Sequence, residues 1–163
     1  MLGNIFKTSN DFTLTILRLV VGFVYFAHGA QKLGFLGGPG LQARMTGLSG
    51  AVHIPMSLAY LVFAAEFFGG LGLIVGLLGR IAALGIFSDM LGAVILVHHR
   101  FGLFMNWTGK QPGEGFEFHL LALAMTLTIV IRGSGAFSID RLLMPRKLGG
   151  VVTTKRPMFR RSA

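Results

Sequence analysis

Long apolar stretches separated by short polar connections constrain this chain more than anything else in it. About residues 11–30, 54–78, 81–97 and 116–131 each read as a stretch able to cross a bilayer as a helix. The expected fold is therefore all-α, a polytopic membrane protein built as a four-transmembrane-helix bundle. Composition agrees with this. The 163 residues are 53% hydrophobic and only 13% charged, with a mean hydropathy of +0.69, where soluble domains carry about 25% charged residues. Four spans of about 20 residues and their connections nearly fill the length. Residues 1–145 thus read as one transmembrane domain and 146–163 as a basic cytoplasmic tail.

The formal charge of +9 does not point to nucleic acid. The basic residues sit between and after the apolar stretches, where anionic lipid headgroups are the expected partners. There is no cysteine, which excludes disulfides, thiol relays and thiolate metal sites. The first apolar run contains Arg18 and ends in His28-Gly29-Ala30-Gln31-Lys32, so it does not read as a cleaved signal peptide.

Ser9, Asn10 and Asp11 can cap the first helix. The weakly apolar segment Leu41–Val52 reads as an interfacial helix or a re-entrant segment, and Gly79-Arg80 as a very tight connection. Lysine and arginine counts set the orientation. Lys7, Arg80, Arg132, Arg141 and the basic tail fall on one side, against Lys32, Arg44, Arg100 and Lys110 on the other. Both termini are expected to be cytoplasmic and the protein integral to the cell (inner) membrane. In the second span, Ala65, Gly69, Gly72 and Gly76 form a small-residue ridge suited to close packing against a helix of this chain or of another subunit.

Arg18, Glu66 and Asp89 are ionisable groups inside spans, where they are costly unless paired or hydrated. Counting about 1.5 Å per residue from each span's edge puts all three in one inner layer. They read as a structural ion pair or as a coupled site holding a proton. Arg18, Tyr25 and Lys32 recur every seven residues and form one polar stripe, with His28 on its flank. Topology also gathers all five histidines (His28, His53, His98, His99 and His119) near the outer face, with Glu114 and Glu117 close in sequence. Imidazole suits a metal, a haem or a quinone headgroup. No metal-binding spacing supports the first two, so haem or metal is not expected and quinone remains the candidate cofactor.

These residues resemble the DoxX family of small four-span membrane proteins. The resemblance lies in Leu17-Arg18-Leu19 with His28-Gly29-Ala30-Gln31-Lys32-Leu33, in Glu66-Phe67-Phe68-Gly69-Gly70 leading to Gly79-Arg80, in Gly115-Phe116-Glu117-Phe118, and in the closing Gly133-Ser134-Gly135-Ala136-Phe137-Ser138-Ile139-Asp140-Arg141. It implies a small accessory or quinone-contacting subunit of a membrane redox complex, with Arg18, His28, Lys32, Glu66 and Glu117 as motif positions. The other functions left open are a stand-alone quinone-linked oxidoreductase, a proton or solute pathway, and a structural subunit docking partners through the glycine-rich helix or the basic tail.

Overall fold

The computed structural model describes residues 5–144, and the basic tail at 146–163 lies outside the described residues. Helix α1, Phe12–Lys32, starts at Asp11, whose Oδ1 accepts from the amides of Thr13 and Leu14 at 2.9 and 3.4 Å. That side chain satisfies amides which otherwise have no intrahelical partner. A short 3-10 turn, Phe35–Gly37, leads into α2, Leu41–Val52. The long helix α3, Met56–Val75, follows Pro55 and contains one π-helical turn at Ala65–Gly69. Then come α4, Gly79–Leu96, α5, Glu117–Arg132, and the short α6, Ile139–Leu143. Among the described residues there is no strand.

Helices α1, α3 and α4 are long and apolar enough to cross a membrane. Helix α5 has 16 residues, about 24 Å at 1.5 Å per residue against a hydrocarbon core of about 30 Å. The four long helices close a ring in which α1 packs on α3, α3 on α4, α4 on α5 and α5 on α1. Val21, Tyr25, Leu73, Ile86, Met90 and Ile129 fill its interior. The outer surface keeps Phe23, Leu61, Ile95, Leu121 and Ile131 exposed. An apolar exterior of this extent suits lipid rather than water.

Two close approaches organise the ring. A Cβ on Gly22 would stand 2.9 Å from the Gly70 carbonyl oxygen, and one on Gly29 would stand 2.6 Å from the Phe67 Cα, so the backbones of α1 and α3 touch. The anticipated ridge on α3 turns to a different neighbour. Ala65, Gly69 and Gly72 face Gly85, Ile86 and Ala82 of α4, within the chain. Gly76 belongs to neither face. At φ +70° it ends α3, with Leu77 N–H donating to Gly72 and Gly76 N–H to Leu73. This paired closure needs a left-handed residue, which glycine adopts without a Cβ penalty.

The closing motif clasps one end of the bundle. Asp140, 1% exposed, accepts from the amides of Leu78 and Gly79 at 2.7 and 2.9 Å and from the Ser134 hydroxyl at 2.5 Å. Its carboxylate thereby caps the start of α4, where the helix dipole favours negative charge. Thr15 donates to the Ala136 carbonyl at 2.6 Å, and the Ala136 amide donates to Asp11. The Gly135 amide donates to Thr8, and Arg80 donates to the carbonyls of Lys7 and Val130. The described N-terminal segment and the closing segment therefore meet at one end of the bundle. Asp140→Ala removes three hydrogen bonds from a buried carboxylate and should destabilise the fold by about 3 kcal/mol. Unfolding in mild detergent titrated with SDS measures this, and Asp140→Asn should lose about half as much.

Candidate functional site

The intramembrane ionisable groups divide between two places, and the expected single inner layer does not exist. Arg18, buried at 2% exposure, donates from Nη1 to the Leu73 and Ile74 carbonyls at 2.6 Å each and from Nη2 to the Phe137 carbonyl at 2.7 Å. Leu73 and Ile74 lie in the last turn of α3, where a cation complements the helix dipole, and the Leu73 carbonyl accepts from the Gly76 amide as well. The nearest opposite charge is that of Asp140. Arg18 is therefore part of the clasp and pairs with neither Glu66 nor Asp89. Glu66 is seven residues from Leu73 along α3, about 11 Å from the clasp.

Glu66 forms an ion pair with Lys32 at the other end of α1. The reason is register. Gly29 abuts Phe67, so Glu66 is level with the last turn of α1, and α3 begins well beyond the end of α1. Counting depth from each span's edge assumes that all helices start at one plane, and α3 does not. The π-helical turn at Ala65–Gly69 holds Glu66, and such turns interrupt helices most often at functional sites.

Around this pair lies a cavity of about 1040 Å³ bounded by α2, α3 and α4. Its walls are mostly apolar, including Leu48, Val52, Leu58, Ile81 and Ala93, and it opens to the outer surface beside the exposed Leu61. Lys32, Glu66, Asp89, His98 and His119 are its ionisable lining, with Arg44 on the α2 side. Asp89 Oδ2 is buried with no hydrogen-bond partner, and so is the Tyr25 hydroxyl, which sits within electrostatic reach of Asp89 and Glu66. The polar stripe of α1 thus faces inward throughout: Arg18 to the clasp, Tyr25 to the core, Lys32 to the cavity.

The histidines do not converge as a group. His98 and His119 stack with ring centroids 4.1 Å apart at the cavity's edge. His98 Nδ1 is 2.8 Å from the Glu114 carbonyl, which marks it as the protonated nitrogen, whereas His119 Nδ1 is buried without a partner. His28, His53 and His99 are exposed, and none of them lines the cavity. Glu117 serves the loop before α5, accepting from the Met105 amide and the Trp107 indole at 2.9 and 3.0 Å. Among the described residues no group of three or more histidine or carboxylate side chains is placed to hold a metal ion. Sequence reasoning missed the role of Asp140 and that of α2. The first stood in the closing motif without an assigned task. The second was legible as a helix but not as a cavity wall, because its partners come from α3 and α4.

Comparison with known proteins adds kinship. The DoxX family model matches residues 13–99. The chain is 35% identical over 129 residues to an uncharacterized protein of Haemophilus influenzae, covering 78% of this chain and 87% of that one. It is 30% identical over 137 residues to the inner membrane protein YqjF of Escherichia coli, covering 84% and 96%. It is 27% identical over 139 residues to "Putative oxidoreductase CatD" of Bacillus subtilis, covering 85% and 92%. No solved structure matches the chain.

The Lys32–Glu66 pair has a measurable signature. Glu66→Gln leaves a half-buried ammonium without its counter-charge and should cost about 2 kcal/mol. Adding Lys32→Met should restore at least half of that loss, so the double-mutant cycle reads a coupling of about 1 kcal/mol or more. SDS-titrated unfolding measures all four corners.

Proposed function

The chain belongs to the DoxX family of membrane proteins, and from that premise we propose that it is a quinone-contacting subunit of a membrane redox complex. The cavity carries this reading: an apolar chamber of about 1040 Å³ with Lys32, Glu66 and Asp89 on its wall. Binding sites for small molecules combine a mostly apolar lining with a few placed polar groups. A quinone has the matching form, a ring with two oxygens on a hydrocarbon chain. The kinship to a protein named as an oxidoreductase supports redox work.

A through-path for protons or solutes is the weaker reading, because the hydrogen-bonded clasp around Arg18 and Asp140 fills the inner end of the bundle. In the proposed topology α5 crosses as the fourth span, with both termini cytoplasmic, and residues 146–163 form a basic tail for lipid headgroups or an acidic partner subunit.

Two measurements test the proposal. Protein purified in lipid nanodiscs should carry extractable quinone, and Ala93→Trp, which fills the cavity, should lose it while unfolding at the same detergent concentration. Wild-type protein that neither retains nor rebinds quinone would overturn the reading. Orientation is accessible because the chain has no cysteine. A single cysteine replacing Thr8 should resist a membrane-impermeant maleimide in intact cells, and one replacing Gln111 should react. The reverse pattern would invert the topology.

A further inference from the structure

The cavity wall distinguishes the two redox forms of its ligand, an inference that rests on the quinone-contacting reading. Lys32 and Glu66 neutralise each other. Asp89 has no such partner: its Oδ2 is buried without a hydrogen bond, and among the described residues no cation pairs with it. Its neighbour Ser88 donates to the Leu84 carbonyl at 2.9 Å. An ionised carboxylate only accepts hydrogen bonds, whereas a lysine ammonium has three hydrogens to donate. Lys32 gives one of these to Glu66 and can offer another to a ligand oxygen, whether carbonyl or hydroxyl. Asp89 discriminates. A ligand hydroxyl satisfies its open oxygen, but a ligand carbonyl sets lone pairs against lone pairs in an apolar surround.

The geometry points to a hydroquinone, the reduced form, as the preferred occupant while Asp89 is ionised. One ring oxygen accepts from Lys32, and the other donates its hydroxyl hydrogen to Asp89. The hydrocarbon chain follows α4 from Asp89 toward Ile81, past the lining residues Gly85 and Ala82, about 12 Å of helix. An anionic headgroup would meet two carboxylates at this point of the wall. The one cation beyond the ion pair, Arg44, stands on α2 across the cavity.

Binding of a short-chain benzoquinone and of its hydroquinone to nanodisc-embedded protein, anaerobically at pH 8.5, tests this. The hydroquinone should bind at least about tenfold more tightly, the worth of one hydrogen bond to a charged group. For that ratio the midpoint potential of the bound two-electron couple should rise by about 30 mV. In Asp89→Asn and Asp89→Ala the two forms should bind within about threefold of each other, because the charged acceptor is gone. Equal affinities in the wild-type protein, or retention of the preference in both Asp89 variants, would overturn the inference and leave the quinone reading standing. No binding of either form would overturn both, as would tighter binding of a saturated fatty acid than of the hydroquinone.

Discussion

Direct contact between the backbones of α1 and α3 sets the levels at which the polar groups of these two helices meet. Gly22 against Gly70 and Gly29 against Phe67 leave no room for a Cβ, so the two helices have one register available to them. In a bilayer the hydrophobic effect does not press helices together, and close packing of this kind takes over that role. The register brings Lys32 level with Glu66 and Arg18 level with the final turn of α3. Each cation on α1 then meets the part of α3 that can answer it, a carboxylate at one level and the carbonyls of the last turn at the other.

The two ends of the molecule handle buried polarity differently. At the clasp most groups are matched, Arg18 to three carbonyls, Asp140 to two amides and a hydroxyl, Thr15 to Ala136, while Arg18 Nε and the Ser9 hydroxyl keep no partner. A network satisfied to that degree holds a single geometry. Toward the other end Tyr25, Asp89 and His119 each keep a buried polar atom without a partner, and Asp89 and His119 line a cavity large enough for an amphiphile. Unmade hydrogen bonds are costly in an apolar medium. On a cavity wall a ligand can complete them, and that separates the candidate site from the scaffold.

Much of the scaffold was legible from residue patterns. The apolar stretches gave helices whose ends shift by only a few residues, Asp11 caps where a capping residue was expected, and Leu41–Val52 is helical. These features depend on local chemistry, which neighbours in sequence carry. The depth estimate for Glu66 failed because it treated every span as starting at the same plane. The ridge on α3 was read as one face, and its Ala65, Gly69 and Gly72 do share the face toward α4, while Gly76 ends the helix and Gly70, outside the ridge, meets α1. The gathering of histidines by topology placed five residues at one level. Level alone leaves rotation about each helix axis undetermined, and only His98 and His119 turn toward each other.

By itself the sequence determined that this chain is helical, suited to a membrane and marked by a few ionisable residues within its apolar stretches. Hydrophobicity and charge are properties of single residues and survive without a fold. Tertiary structure alone decided which of those residues meet. Pairing Lys32 with Glu66, giving Arg18 to the carbonyls of α3 and leaving Asp89 open on a cavity wall all depend on helix register and rotation. Those are set by contacts between residues far apart in the chain, chiefly glycines whose significance is the absence of a side chain.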